Sequence, residues 1–170
     1  ARRALAEELF EAGGIRGMVG GQWLDLEAEN RQLDLPGLMA VHRGKTGALI
    51  RSALVLGGID AGATTAQLDA LRRFGEEIGL AFQVADDVLD ATATTEALGK
   101  TAGRDAELAK STYVGLLGVE GARAEAARHQ ALAFEFAHIA DVDEHGVRIA
   151  LQRLRVGHGQ RADLGASLVD

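Results

Sequence analysis

Hydrophobic residues recur every three or four positions through most of the chain, which is the spacing of amphipathic α-helices. Strand-like alternation of polar and apolar residues is absent. Because no linker divides the 170 residues, we predict an all-α fold with a single helical domain over residues 1–170. The predicted helices cover residues 1–12, 15–26, 38–59, 65–90, 106–117, 120–140 and 143–156, with 91–105 irregular. The glycine-rich residues 157–170 carry no pattern that assigns them.

Local signals set several of the helix ends. Asp34 is a suitable N-cap, and Pro36 is tolerated in the first helical turn after it. The run Asp60-Ala61-Gly62 is expected to end one long helix. Thr64 or Thr65 is then expected to cap the next helix.

Composition excludes several classes of function. The chain has no cysteine, so disulfides and thiolate metal sites are excluded. A net charge of −7 argues against a nucleic-acid-binding surface, which is normally basic. No apolar run approaches the roughly 20 residues that span a bilayer, and no secretory signal is present. We therefore expect a cytoplasmic protein that is not integral to a membrane. The 22 glycines include several within predicted helices, where we expect close helix contacts or room for a ligand.

One predicted helix carries three closely spaced carboxylates. On a helix, Gly79, Gln83, Asp86, Asp87 and Asp90 fall on one stripe about 100° wide. This stripe has a single charge sign and apolar borders, unlike the mixed polar face of a surface helix. The pattern alone leaves a solvated face and a cation site both open. Carboxylates that face a cavity need a neutralising cation, and Mg²⁺ binds one or two of them together with phosphate oxygens.

Two further motifs accompany this stripe. The three motifs are Phe82-Gln83-x-x-Asp86-Asp87-x-x-Asp90, Gly21-Gln22-x-x-Asp25-Leu26 and Lys45-Thr46-Gly47. Together they resemble the trans-isoprenyl diphosphate synthases, which include the farnesyl and geranylgeranyl diphosphate synthases. The resemblance is strong over residues 10–120 and corresponds to the C-terminal half of such an enzyme. It implies a helical bundle of the isoprenoid synthase type.

The resemblance also implies a role for each motif residue. The implied Mg²⁺ ligands are Asp25, Asp86, Asp87 and Asp90. The implied diphosphate-binding residues are Lys45, Lys100 and Lys110. The implied catalytic residues are Lys45, Thr46 and Gln83, of which Thr46 and Gln83 would face the allylic carbons and stabilise a developing cation. The implied supporting residues are Gln22, Phe82 and Asp105. Without the resemblance, Asp25, Lys45 and Lys110 would each be interpreted as solvated residues on a helix face.

The implied activity is head-to-tail (1'-4) condensation of an allylic diphosphate with isopentenyl diphosphate in isoprenoid biosynthesis. The implied cofactor is Mg²⁺, and the implied assembly is a homodimer or a complex with a full-length synthase. The first aspartate-rich motif of the family is absent, so we expect the chain to be a truncated piece with little or no turnover. Product chain length is not encoded in the residues present. A local departure is Ala85, where some relatives have glutamine.

Two alternatives remain beside this hypothesis. The chain could be a non-catalytic helical partner of a full-length prenyl synthase, although the intact acidic and lysine residues argue against it. A terpene cyclase shares the fold and the metal chemistry, but cyclases usually carry N-x-x-x-S-x-x-x-E as the second motif. Four histidines have no spacing that indicates a site and are expected at the surface or satisfied in the core; these are His129, His138, His145 and His158.

Overall fold

The computed structural model describes residues 2–29, 31–92 and 110–140, and all regular elements in these ranges are helical. The elements are α1 (Arg2–Gly13), α2 (Met18–Glu27), α3 (Leu35–His42), a π-helical segment (Arg43–Gly47), α4 (Ala48–Asp60), α5 (Thr65–Thr92) and α6 (Tyr113–Ile139). The all-α prediction is thus confirmed. The predicted helix 143–156, most of the predicted irregular segment 91–105, Lys100 and Asp105 lie outside the described residues.

The run from α3 to α4 is continuous, but it is not the single α-helix that the sequence predicted over 38–59. It begins earlier, at Leu35, because the Asp34 carboxylate accepts a hydrogen bond from the Gly37 backbone N–H at 2.9 Å. Its middle, Arg43–Gly47, is π-helical. Such segments occur mostly as short insertions in α-helices, often at functional sites. The hydrophobic pattern carried no sign of this segment, which holds Lys45 and Thr46.

The α5 and α6 helices form the core of the described structure. Val84 and Val88 of α5 pack against Leu38 of α3 and Tyr113 of α6. Further along, Phe74 and Ile78 pack with small residues of α6. A Thr64 hydroxyl caps α5 by accepting from the Gln67 N–H, while the Gln67 side chain reaches back to the Thr64 N–H. These contacts place the apolar side of α5 inside and its acidic stripe along one border of the core.

The start of α6 differs from the prediction. Residues 110–112 are not helical, although the sequence predicted a helix over 106–117, and α6 begins at Tyr113. The extended Thr112 caps it by accepting from the Gly115 N–H at 2.9 Å. Gly118 then breaks the helical geometry with φ of +72°, a backbone conformation that favours glycine. This break confirms the predicted interruption between residues 117 and 120.

Glycines bring three helical elements into backbone contact. A Cβ at Gly21 of α2 would lie 2.0 Å from the Lys45 backbone nitrogen, and one at Gly44 would lie 2.8 Å from Gly21 Cα. On the other side, a Cβ at Gly79 of α5 would lie 2.9 Å from Gly47 Cα. The π-helical segment is therefore held between α2 and α5 at distances that no larger residue allows. The expectation of close glycine contacts is confirmed here.

A buried polar cluster joins α5 to α6 away from the acidic stripe. The His129 Nδ1 lies 2.5 Å from a Glu77 carboxylate oxygen, and its Nε2 lies 3.2 Å from Glu125. Arg128 donates two hydrogen bonds to Glu125, at 3.0 and 2.6 Å. The hydrogen bond from Arg128 lowers the pKa of the Glu125 carboxyl by more than burial raises it. His129 is thus a satisfied core residue, as predicted.

The outer side of α1 and α2 is apolar and open. Phe10 is 79% exposed, Ile15 82% and Trp23 63%. A contiguous set of exposed large apolar side chains is typical of an interaction surface in a soluble domain. Within the described residues, no helix has the length and apolar character needed to cross a bilayer.

Replacing Gly21 with alanine is expected to destabilise the fold by about 1–3 kcal/mol, since the new methyl group would overlap the Lys45 backbone. The matched control is Gly57→Ala in α4, where a Cβ meets nothing within 4 Å and helix propensity predicts a gain of up to about 1 kcal/mol. Urea unfolding of both variants measures the difference. Equal stability of the two variants would contradict the proposed contact.

The Glu125–Arg128 pair predicts an acid-sensitive contribution to stability. Because the folded-state pKa of Glu125 is lowered, its stabilisation is present above the ordinary pKa of 4.5 and is lost as pH falls through the folded-state value. Glu125→Gln should therefore lower stability at pH 7 and reduce the further loss below pH 4.5. Denaturant unfolding from pH 7 downward tests this. Glu7→Gln, at an exposed helix pair with Arg3, should leave the wild-type profile unchanged.

Candidate functional site

A small polar cavity lies where α2, the π-helical segment, α5 and the start of α6 meet. Its volume is about 180 Å³. Its polar lining residues are Asp25, Glu29, His42, Lys45, Gln83, Asp86, Asp87, Lys110, Ser111 and Thr112. Four helical elements or their ends therefore contribute charged groups to one cavity, although these residues are up to 87 positions apart in the chain.

Asp25 is held by two lysines. Its Oδ2 accepts from Lys45 Nζ at 2.6 Å and from Lys110 Nζ at 3.3 Å. Burial alone would raise the pKa of the Asp25 carboxyl, but the hydrogen bond and charge of Lys45, with those of Lys110, outweigh it and lower the pKa. Asp25 thus remains ionised and gathers two ammonium groups at the cavity.

Lys110 reaches the cavity because the segment before α6 is fastened to the connection between α2 and α3. The Ser111 hydroxyl accepts from the Leu33 backbone N–H at 2.8 Å. It also donates to the Arg31 carbonyl at 3.4 Å. These bonds give residues 110–112 a defined, extended path and place Lys110 beside Asp25.

Gln83 forms hydrogen bonds with two residues across the site. Its Oε1 lies 2.7 Å from His42 Nδ1 and 3.2 Å from the Thr46 hydroxyl, which donates. The three residues come from the end of α3, the π-helical segment and α5. Thr46 and Gln83, two of the residues to which the resemblance assigned catalytic roles, are therefore in direct contact.

Two carboxylates of the acidic stripe of α5 line the cavity. These are Asp86 and Asp87, which line it with Gln83, whereas Asp90 is buried and is not among its lining residues. The Asp87 carboxylate accepts a hydrogen bond from the Tyr113 backbone N–H at 2.7 Å. The first N–H group of α6, which has no partner within its own helix, is satisfied in this way. Asp87 therefore fixes the start of α6 as well as the cavity wall.

Tyr113 packs behind the site. Its ring is fully buried and lies 5.6 Å from the His42 ring, centroid to centroid. Burial raises the pKa of the Tyr113 hydroxyl to about 12, and the negative charges of Asp87 and Glu125 add to the shift. The phenol therefore stays neutral and supports the His42 ring as an apolar and aromatic surface.

The other site residues that the sequence predicted differ in their exposure and in whether the structure describes them. Gln22 is exposed on α2, and it does not line the cavity that Asp25 lines. Phe82 is half-buried on α5. Lys100 and Asp105 lie outside the described residues. The sequence analysis assigned no role to His42 or Tyr113. Their positions in the sequence could have indicated them, because His42 lies one turn before Lys45-Thr46 and Tyr113 directly follows Lys110-Ser111-Thr112.

The cavity carries acidic groups that could hold a cation and basic groups that could hold an anion. Within ranges 2–29, 31–92 and 110–140, no three acidic or histidine side chains gather closely enough to form a metal cage. The cavity instead combines Asp86 and Asp87 with the ammonium groups of Lys45 and Lys110. Mg²⁺ typically takes one or two carboxylates and completes its shell with water and substrate phosphate oxygens.

A second, larger cavity of about 710 Å³ adjoins α2, the π-helical segment and α4. Its walls combine the apolar side chains of Ile15 and Trp23 with the guanidinium groups of Arg16, Arg43 and Arg51. Gly21, Gly44 and Gly47 also line it, so the glycines of the helix contacts leave open space beside them. The exposed apolar side of α2 forms one wall of this cavity.

Comparison with known proteins connects this geometry to a family. The polyprenyl synthetase family model matches residues 6–146. The chain is 51% identical over 126 residues to farnesyl diphosphate synthase of Escherichia coli, covering 74% of this chain and 42% of that protein. It is 44% identical over 122 residues to farnesyl diphosphate synthase of Bacillus subtilis, covering 72% and 41%.

Solved structures give the same result for the fold. A geranyltransferase from Helicobacter pylori, complexed with magnesium and isoprenyl diphosphate, superposes with a TM-score of 0.74 at 34% identity and covers 91% of this chain and 50% of that one. An FPP/GFPP synthase from Zymomonas mobilis superposes with a TM-score of 0.71 at 33% identity, covering 90% and 50%. The chain spans half or less of the length of these relatives. With the all-α isoprenoid synthase fold and a family match over most of its residues, the chain belongs to the polyprenyl synthetase family.

Proposed function

We propose that the chain supplies the second-aspartate-motif side of a polyprenyl diphosphate synthase active site, where it binds the diphosphate group of an allylic substrate together with Mg²⁺. The observation that carries this proposal is the convergence of Asp86, Asp87, Lys45 and Lys110 on one cavity. Carboxylates and ammonium groups side by side suit a ligand that is both metal-bound and anionic. The parent reaction would join the allylic group to isopentenyl diphosphate.

Lys45 and Lys110 are the groups that we assign to the diphosphate. Both ammonium groups are held by Asp25, which keeps them at the cavity at 2.6 and 3.3 Å before any ligand arrives. Neither side chain is deeply buried, so both retain freedom to turn from Asp25 toward a bound anion. An ammonium is a compact point charge with three donors, which suits phosphate oxygens in several arrangements.

Asp86 and Asp87 are the carboxylates that we assign to Mg²⁺ at the cavity, with Asp25 and Asp90 as the further ligands that the family resemblance implies. Bound there, Mg²⁺ would neutralise diphosphate oxygens and so stabilise the diphosphate as a leaving group. Asp87 also holds the Tyr113 N–H, which limits its rotation and keeps one oxygen directed to the start of α6. Asp86 is therefore the better residue for a test of metal binding.

Thr46 belongs to the π-helical segment that carries Lys45, and its hydroxyl contacts Gln83 of the cavity wall at 3.2 Å. Its position beside the allylic carbons stays a prediction, as does the expectation of little or no turnover. The helices around the cavity contribute apolar side chains such as Leu38 and Val41, which would exclude water from a reactive carbon centre.

A second candidate is a non-catalytic helical partner that docks on a full-length prenyl synthase. It is favoured by the exposed large apolar side chains of Phe10 in α1, Ile15 in the connection after it and Trp23 in α2. Co-sedimentation with a full-length synthase at equimolar concentration would support this candidate. Unchanged sedimentation of both proteins would exclude it.

Replacing Asp86 with asparagine should weaken Mg²⁺-dependent binding of inorganic pyrophosphate roughly tenfold or more, because a charged ligand becomes neutral. The matched control is Asp69→Asn, an exposed residue of the same helix that pairs with Arg72. Isothermal titration calorimetry of pyrophosphate at constant Mg²⁺ measures both variants. The assignment of Asp86 is wrong if both variants bind as the wild type does.

The 170-residue chain alone is expected to show little or no turnover of dimethylallyl and isopentenyl diphosphates with Mg²⁺. The physical reason is that the acidic residues present form only one side of a metal-diphosphate shell. Product extraction and chromatography after prolonged incubation provide the measurement. Elongation at a rate ordinary for enzymes, with at least 1 turnover per second as a rough guide, would contradict this expectation.

A further inference from the structure

The larger of the two cavities has no part in the proposed function. Its volume of about 710 Å³ lies within the range of roughly 300–1,000 Å³ that small-molecule sites occupy. The π-helical segment contributes to both cavities. Lys45 lines the small one, whereas Arg43, Gly44 and Gly47 line the large one. None of the residues around the large cavity is assigned to Mg²⁺ or to the diphosphate, so binding there is independent of the proposed function.

The lining of this cavity is positively charged, although the chain has a net charge of −7. Three arginines line it, which are Arg16, Arg43 and Arg51. Glu76 is the one acidic lining residue, so two positive charges remain uncompensated. The protein satisfies the Arg51 guanidinium only in part, since its Nη1 lies 3.4 Å from Glu76 and its Nε has no hydrogen-bond partner. The Arg16 side chain is 83% exposed. The guanidinium groups therefore retain capacity to bind an anion.

The same cavity has an apolar wall. Ile15, Trp23 and Leu24 line it, and all three are exposed. Its lining contains no histidine, lysine or hydroxyl side chain, so it offers no nucleophile, and Glu76 is its one side chain that could act as a general base. The cavity therefore suits binding of an amphipathic anion rather than catalysis.

We propose that this cavity binds an organic phosphate, with the phosphate group at the arginines and an apolar or aromatic group against Ile15 and Trp23. A phosphate monoester carries about −1.5 to −2 charges at pH 7, which matches the two uncompensated positive charges of the lining. A carboxylate would supply only one negative charge. Guanidinium groups also pair with phosphate oxygens through two parallel hydrogen bonds, which orients the ligand.

The fluorescence of Trp23 provides a direct test, because Trp23 is the only tryptophan of the chain and lines the large cavity but not the small one. The probe is octyl phosphate, titrated below the concentration at which it forms micelles. Octanol tests the apolar part alone, inorganic phosphate tests the charged part alone, and octanoate replaces the phosphate with a carboxylate. The expected result is a saturable change of emission with octyl phosphate, at a concentration about tenfold or more below that of any other probe.

Variants connect this signal to the guanidinium groups. Arg51→Met should weaken octyl phosphate binding about tenfold, because it removes a charged donor and keeps the side-chain stem. Arg16→Met, at a largely exposed position where the substitution carries little risk to the fold, should weaken binding about threefold. Arg123→Met, at an exposed arginine of α6 outside the cavity lining, is the matched control and should bind as the wild type does. Asp86→Asn should also bind octyl phosphate normally, because Asp86 lines only the small cavity.

The contrary outcomes are distinct. An emission that octyl phosphate does not change would exclude the site, and equal potency of octanol or inorganic phosphate would exclude an amphipathic ligand. Equal potency of octanoate would overturn the choice of phosphate. Unchanged binding in both Arg16→Met and Arg51→Met would overturn the role of the arginines, and loss of binding in Asp86→Asn would place the phosphate in the small cavity. Emission that depends on protein concentration without any probe would assign the Trp23 wall to contact between copies of the chain and overturn the ligand site. Failure of Mg²⁺–pyrophosphate binding would overturn the proposed function and leave this site unaffected.

Discussion

The backbone contact of the π-helical segment with α2 on one side and α5 on the other is the constraint on which the site depends. Gly21 and Gly44 allow the first contact, and Gly79 allows the second, where its added Cβ would lie 2.9 Å from Gly47 Cα. Side chains on three elements can then meet although no two of their motifs are adjacent in sequence. A Cβ at Gly21, Gly44 or Gly79 would lie within 3 Å of the backbone of the neighbouring element, so a larger residue there would push the elements apart. The glycines that weaken helix propensity are thus the residues that make the site possible.

The charges of the site follow from this packing. Four carboxylates and two ammonium groups share a cavity of about 180 Å³, and the Lys45 ammonium lies 2.6 Å from Asp25. Burying a carboxylate costs free energy unless a hydrogen-bond donor or a positive charge pairs with it. Asp25 is paired with two lysines. Asp87 accepts a hydrogen bond from a backbone N–H in the first turn of α6, which thereby also gains a partner. Asp25 and Asp87 therefore both stabilise the fold and line the cavity.

Much of the fold could be predicted from local signals. The Asp34 cap, the end of α4 at Asp60 and the break at Gly118 each depend on a few neighbouring residues, and each was predicted correctly. The π-helical segment and the late start of α6 were not predicted, because both depend on contacts between distant parts of the chain. Tyr113 begins α6 where its N–H meets Asp87, which lies 26 positions earlier. No periodicity within residues 106–117 could have indicated this partner.

The same distinction applies to the site. The helical stripe correctly placed Gln83, Asp86 and Asp87 on one wall, since the spacing within α5 fixes their directions. It also put Asp90 on this stripe, but Asp90 is buried and is not among the residues that line the cavity. Nor could it predict that His42 contacts Gln83, which lies 41 positions later in the chain. Motif residues are found by their types, whereas the residues that orient them are found only through their contacts. His42, which contacts Gln83, and Tyr113, whose backbone N–H binds Asp87, belong to this second group.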